Sequence, residues 1–534
     1  MYLAGYTTYS ISKTNCFVSS CNKRIRRMCL VTMLVLQALL VLFASSASSD
    51  VSLPDIFNNG MVLQRGMMVP VWGTAGPGEK VTVTINGNSK STTTSRDGSW
   101  SVKLNNMKAG GPFELIVKEA NTVTFSDIKI GDVWLCSGQS NMWWPMKMMK
   151  DIPADKIPVD NPDIRLYSIW SPEHDLFGAK PEWSNCTPDN LGEFSAVAYF
   201  FGRELQHETG VTVGLIHSSM GGSVPETWML RKTLSADSDF RPIVDYWDSI
   251  TTAYPAVQKE FAEYLKGLAA FKTQNGPEPV KPDMPFVPKP LRYYMRYPQG
   301  VYDAQLKPLI PFAIKGVVWY QGESSTERAW QYRRLFPAMI DEWRGFWGQG
   351  DFPFIFVQLQ NYNSSVAVAE IREAQFMTLA VPKTGMAVTV DIGDSTNVHA
   401  NNKWDVGTRL ALSALHVAYG RDIPYSGPLY SSMQRNGSSI SIAFDHVEDG
   451  LVAANSEPLK GFEIAGEDRK FHNAQARIDG ARVTVTSENV TDPVAVRYGW
   501  RSNPTCNLYN SAALPASPFR TDDWEESTYG RLSP

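Results

Sequence analysis

Between residues 51 and about 130, apolar and polar positions alternate in short runs, most clearly in Lys80-Val-Thr-Val-Thr-Ile85 and Trp100-Ser-Val-Lys-Leu104. Pro77-Gly78, Asn86-Gly87, Asp97-Gly98 and Gly110-Gly111 separate these runs. A period of two bounded by turn dipeptides predicts a small antiparallel β domain. From about 132 to 425 the pattern changes: buried-looking strands alternate with stretches such as 194–208 and 404–419, where apolar residues recur at three and four positions. That alternation predicts a parallel-sheet α/β core. After Pro424, short strands return at 439–444, 481–486 and 493–498, predicting a second β region. Residues 274–289, which contain several Pro and Lys, read as a loop or linker. The chain shows no internal repeat.

Ahead of these stretches, Lys23, Arg24, Arg26 and Arg27 precede an apolar run over 29–43, and Ala44-Ser-Ser-Ala47 offers small residues for cleavage. This is the layout of an export signal, with a mature start near Ser48. The run is short for a membrane span, so an anchor is the less favoured reading. The domain plan is therefore an extension and signal over 1–47, a β domain over 48–130, the α/β domain over 131–425 and a β region over 426–534. Translation beginning at Met28 would omit the polar extension.

A chain of 534 residues with 43% hydrophobic content and 16 tryptophans can bury more than one core. With 50 basic and 54 acidic residues and a net charge of −4, it has no broad basic field for nucleic acid, which leaves a small or neutral partner. Cysteines stand at 16, 21, 29, 136, 186 and 506. Only Cys136, Cys186 and Cys506 follow the signal, enough for one bridge at most. No clustered His/Cys spacing favours a structural zinc site. Asn185, Asn363, Asn436 and Asn489 open Asn-x-Ser/Thr sequons, which matter only in a eukaryotic secretory pathway.

Ligands of open α/β sheets bind beyond the carboxyl ends of the strands, so the residues following each apolar run carry the chemistry. The run ending at Leu135 leads to Gly138-Gln139-Ser140-Asn141, and the run 211–216 leads to Ser219-Met-Gly-Gly-Ser223. The run 316–320 leads to Gln321-Gly-Glu-Ser324, and 386–390 to Asp391-Ile-Gly-Asp394 and then His399. Alone, the Ser140 segment reads more readily as a helix cap than as a nucleophile. Four such endings at one rim reverse that reading, because acyl transfer needs a nucleophile, a base and oxyanion donors. Ser140, His399, Gly222 and Gln321 offer them. Of the seven histidines, only His217 and His399 lie near strand ends, and His217, inside the strand ending, reads as structural. Asp394 is the first candidate to orient His399 and Asp391 the second. Each alternatively makes an Asx-turn or caps the helix. Gln139 and Asn141 are expected at the substrate, with Glu226 and Glu323 as contacts to substrate hydroxyls or as salt-bridge partners.

The motifs Gly-Gln-Ser-Asn-Met at 138–142, Gly-Gly at 221–222, Trp-Tyr-Gln-Gly-Glu-Ser at 319–324, Arg-Glu-Ala-Gln at 372–375 and Asp-Ile-Gly-Asp…His…Lys…Val-Gly-x-Arg-Leu at 391–410 together resemble the sialate O-acetylesterase family of SGNH hydrolases. Met61-Val-Leu-Gln-Arg65 near the start and Leu514-Pro-Ala-Ser-Pro-Phe-Arg520 near the end extend the resemblance over the whole mature chain. It implies a flavodoxin-like catalytic core flanked by β-sandwich material, and a serine esterase without metal or cofactor that removes O-acetyl groups from sugars. Ser140 would attack the acetyl carbonyl and His399 would move the proton. The backbone N–H groups of Ser140 and Gly222 would hold the oxyanion, with Gln321 where many SGNH enzymes place asparagine. Two features depart from the family. Thr396 occupies the usual aspartate position three residues before the histidine, and His399 is followed by Ala400 rather than proline. Trp143 and Trp144 either stack on a sugar or pack in the protein. The partner implied is an O-acetylated sugar or glycan, sialic acid by the family's name, with acetylated xylan or another polysaccharide as the alternative. The competing class is an exported carbohydrate-binding protein with a degenerate site.

Overall fold

The chain, described by a computed structural model over residues 50–169, 180–274, 279 and 295–534, is organised around one long strand, Thr122–Gly138. The extension and signal expected over 1–47 lie outside the described residues, as does most of the 274–289 stretch. The first six residues of the long strand alternate between exposed and half-buried, and from Ile130 onward every residue is buried. One half thus covers one face of a core, and the other half is covered on both faces. The first half pairs antiparallel with Gly110–Lys118. The second runs parallel to Val213–Ser219 on one side and Gly316–Tyr320 on the other, with Gly138 opposite Ser219 and Tyr320. The boundary read at 130/131 therefore falls inside a continuous strand. The change of pattern there marks a change of burial, and a single hydrophobic core runs from Val81 and Leu115 into Trp134 and Phe354.

Five parallel strands lie in the spatial order Val213–Ser219, Thr122–Gly138, Gly316–Tyr320, Phe354–Gln358 and Thr384–Val388. Numbered along the chain this is 2-1-3-4-5, the flavodoxin-like order, whose direction reverses at the strand that delivers Ser140. Asn161–Ser168 adds a further parallel strand and Trp183–Cys186 an antiparallel edge. The helices Ala196–Thr209 and Lys403–Tyr419 pack closely because Gly407 has no side chain. A Cβ there would stand 2.5 Å from that of Phe200.

The C-terminal region forms two four-stranded antiparallel sheets, 429–436/439–445/482–486/475–479 and 472–473/462–465/495–498/519–520, and a two-stranded one, 451–453/508–510, around its own core of Ile440, Ile442, Val483, Ile464 and Tyr498. Cys136, Cys186 and Cys506 are all free. No helix among the described residues is long and apolar enough to cross a membrane.

Candidate active site

The long strand can end where it does only because residue 138 is glycine. Gly138 has φ +139°, and a Cβ would lie 2.1 Å from the Tyr320 carbonyl oxygen. Gln139 then sits at the cap of the short helix Ser140–Trp143 without capping it through its side chain, and Ser140 is the first helical residue. The Gln139 Oε1 instead accepts from the N–H groups of Gly322 (3.4 Å) and Ser324 (3.3 Å), joining two neighbouring strand ends. Ser140 Oγ is left facing His399, with Nε2 2.8 Å away.

His399 lies on the loop before the helix Lys403–Tyr419. Its backbone N–H donates to Asn397 Oδ1, and its ring stacks on Trp144 at 4.7 Å between centroids and 22° between planes. Burial, assisted by the charge of Lys403, lowers the imidazole pKa below its ordinary value. The ring is therefore neutral near pH 7 and able to accept a proton at Nε2. Trp144, one of two tryptophans read as sugar platforms or packing residues, is the wall against which the His399 ring rests.

The two aspartates expected to orient His399 have other partners. Asp391 makes a two-pronged ion pair with Arg409, at 2.6 and 2.7 Å, and accepts from Tyr509 Oη at 3.0 Å. Asp394 Oδ1 accepts from both the N–H and the hydroxyl of Thr396 at 2.8 Å. This is an Asx-turn, the alternative weighed for it, and it holds the Asp394 carboxyl below its usual pKa. Among the described residues no hydrogen bond or ion pair joins either aspartate to His399. A guanidinium and a phenol outcompete a neutral imidazole for Asp391, and Asp394 is satisfied by its own loop. Asp394→Asn is expected to leave kcat/KM within about twofold of native, as for an exposed substitution. Asp391→Asn is expected to lower the unfolding free energy by about 2 kcal/mol through loss of charged hydrogen bonds. Esterase rates and urea melts measure both, and a selective collapse of kcat in Asp394→Asn would restore it as the orienting acid.

The second strand end supplies the turn Gly221-Gly222. A Cβ on Gly221 would be 3.8 Å from that of Ser140, and Gly222 has φ +73°. Among the described residues the backbone N–H groups of Ser140 and Gly222 donate to no protein acceptor. Gln321, expected as a third oxyanion donor, is buried, and its amide donates to the Ser223 carbonyl (3.2 Å) and Ser325 Oγ (3.0 Å). One hydrogen braces the glycine turn and the other the segment after Gly322, so in this conformation it offers none to an oxyanion.

Of the four residues expected at the substrate, Gln139, Asn141 and Glu226 are buried and Glu323 is partly buried, and all four are bonded within the protein. Besides Gln139, Glu226 pairs with Arg328 at 2.5 Å, the salt-bridge alternative. Asn141 and Glu323 belong to a network that sequence reasoning did not assemble. Asn141 Nδ2 donates to Glu323 Oε1 (2.5 Å) and to the carbonyl of Val398 (3.0 Å), and its Oδ1 accepts from Lys403 Nζ (2.5 Å). Gln360 Nε2 donates to the same Val398 carbonyl at 2.7 Å. One amide next to Ser140 thus holds the residue next to His399. Burial pushes the Lys403 ammonium down to about 7 against the attraction of Glu323, and burial raises Glu323. The sequence clue to Lys403 is its place as the first residue of an amphipathic helix, where a buried charge demands a partner.

Lys403→Met is expected to release Asn141 and the His399 loop, lowering kcat by about 10²-fold, the scale of a small misplacement of reacting groups. It also removes one of the two causes that depress the His399 pKa. With the neutral ring as the expected proton acceptor, the acid limb of kcat/KM should move to higher pH in a pH–rate profile. Native kcat with an unmoved limb would remove Lys403 from this role.

His217 is buried between Ser168 Oγ (3.3 Å) and Ser219 Oγ (2.7 Å), and burial holds its pKa at about 4, as befits a structural residue. Glu204, His207 and Glu208 are the one group among the described residues with donors close enough for a metal ion. They lie at the C-terminal end of the helix Ala196–Thr209.

Comparison with known proteins places this geometry in context. A family model described as carbohydrate esterase, sialic acid-specific acetylesterase, matches residues 292–416. The chain is 32% identical to the sialate O-acetylesterase of Mus musculus, over 89% of this chain and 95% of that protein. It is 29% identical to the sialate O-acetylesterase of Homo sapiens, over 90% and 94% respectively. The crystal structure of a carbohydrate acetylesterase from Xanthomonas citri is similar with a TM-score of 0.74 and 37% identity, covering 89% of this chain and 100% of that one.

Proposed function

Because the chain belongs to the sialate O-acetylesterase family and is a carbohydrate O-acetylesterase, we propose that Ser140 is the nucleophile and His399 the base that carry its reaction. The observation supporting this is the 2.8 Å approach of Ser140 Oγ to His399 Nε2 beside unused backbone N–H groups. As Ser140 Oγ bonds to the acetyl carbonyl carbon, its proton passes to His399 Nε2, and the negative oxygen is received by the N–H groups of Ser140 and Gly222. The tetrahedral intermediate collapses by breaking the bond to the sugar oxygen, which takes the proton from the imidazolium. Water then attacks the acetyl-enzyme, losing a proton to His399. The second collapse frees acetate and returns the proton to Ser140. The imidazolium is held by Trp144 and the Asn141-braced loop rather than by a bonded carboxylate.

The substrate we propose is an O-acetylated sugar. Sialic acid is named by the mammalian relatives and carbohydrate by the bacterial one. Acetate release from acetylated sialic acid, acetylated xylan and an aryl acetate tests the activity, and labelling by a serine-directed phosphonate tests the nucleophile. Inertness in all four assays would leave the carbohydrate-binding alternative. We also read the chain as exported, so protein recovered from a secreting host should begin near Ser48; an intact N-terminus would contradict export processing.

A further inference from the structure

The C-terminal region carries a cleft of about 450 Å³ whose walls include Trp500, Arg501, Asn503, Asn473, Glu463 and Lys460. Trp500 is a supported aromatic platform. The guanidinium carbons of Arg497 and Arg520 lie 5.2 and 5.5 Å from its ring centroid. These two arginines face each other across paired strands and share Asp522, which fixes them against the ring. The half-exposed ring is part of the cleft wall. An aromatic face beside planar amides suits a sugar ring, whose C–H face stacks while vicinal hydroxyls bond the amides. The amide of Asn473 has no hydrogen-bond partner among the described residues. The cations of the cleft are already paired, Arg501 with Glu463 and Lys460 with Glu457, both at 2.5 Å. The cleft therefore has little net charge to offer an anion, and its chemistry favours a neutral sugar.

Two hydrogen-bond chains link this cleft to the loop bearing His399. Asn361 Nδ2 donates to Asn503 Oδ1 at 2.8 Å, and Asn361 Oδ1 accepts from the N–H of Gly393 at 2.8 Å. Asn503 Nδ2 donates to Asn363 Oδ1 at 3.1 Å, and the N–H of Asn363 donates to the Ser395 carbonyl at 3.0 Å. From this continuity we propose that the cleft is a distal subsite for a neutral sugar unit of the same glycan whose acetyl group is presented to Ser140. It deepens, and rests on, the reading of the site as acting on acetylated sugars. The enzyme is then built for acetylated oligosaccharides in preference to single sugars.

The test uses the full chain with Trp500→Ala and, because Trp500 is packed on two arginines, also Asn473→Ala, whose amide has no hydrogen-bond partner among the described residues. With an aryl acetate both variants should match the native enzyme. With acetylated xylo-oligosaccharides kcat/KM should fall about tenfold in Trp500→Ala, the worth of one good ring contact, and measurably in Asn473→Ala. Equal loss on both substrates in either variant, or no loss on the oligosaccharide in both, would overturn the subsite. Binding of unacetylated xylo-oligosaccharide to native protein, followed by tryptophan fluorescence and lost in both variants, supports the cleft even if no substrate is hydrolysed; undiminished binding in both variants would overturn it. A failure of the subsite is thus distinguishable from a failure of the esterase reading, which would show as an inactive native enzyme.

Discussion

Ser140→Ala is expected to lower kcat for acetate release by about 10⁴-fold or more while leaving the fold intact. The large effect follows from chemistry: no second hydroxyl takes over a covalent step, and what survives is the contribution of the N–H donors and substrate binding. The intact fold follows from the contact of the Oγ, which is with His399 and with no cap or core group. His399→Ala should cost a similar factor, and the double variant should be no worse than either single one, because the two groups act in one proton transfer. Initial rates on an aryl acetate, with thermal melts of each protein, decide the matter. Ser140→Ala within tenfold of native would dismiss Ser140 as the nucleophile, and additive losses would dismiss the coupling.

What made Ser140 and His399 legible was the sheet. A parallel strand covered on both faces reads as an unbroken apolar run, and its carboxyl end reads as a sudden polar or glycine turn, so four such ends announce one rim. The runs at 211–216 and 316–320 fall on strands Val213–Ser219 and Gly316–Tyr320, and the serine follows the middle strand. The roles of the polar residues were less legible because they depend on partners far along the chain. Asp391 lies eighteen residues from Arg409 and 118 from Tyr509, and nothing in the local pattern says that these two will claim it. Gln321, Asn141 and Glu323 sit at the rim in sequence yet point into the protein, where buried amides and carboxylates must be satisfied by one another. The break at 130 was a true change of pattern with another cause, since one strand passes from a half-covered sheet into a fully covered one.

Arg372 shows how far such long-range demands reach, and its replacement is expected to be the most destabilising single change discussed for this chain. It stood in the sequence as the first residue of an Arg-Glu-Ala-Gln motif with no evident task. In the structure it is fully buried, and it remains charged although burial lowers its pKa to about 10. Its guanidinium donates to four carbonyl oxygens. Leu359 and Gln360, just beyond the strand Phe354–Gln358, receive Nε and Nη2 at 2.8 Å, and Arg501 and Ser502 receive Nη1 and Nη2 at 2.7 and 2.8 Å. One side chain thereby ties the catalytic sheet to the C-terminal loop that lines the cleft. Arg372→Met keeps much of the stem volume but leaves four carbonyls without their donor, at a cost on the order of 4 kcal/mol. Arg372→Lys retains the charge yet cannot direct donors to both chain segments, so it should recover only part of that stability. The C-terminal β region has its own core, so the damage should concentrate where it meets the sheet. Urea unfolding followed by tryptophan fluorescence, with limited proteolysis of the 501–505 loop, reads both effects. A loss below about 0.5 kcal/mol, the scale of an ordinary surface change, would show that the clamp does not hold the two regions together.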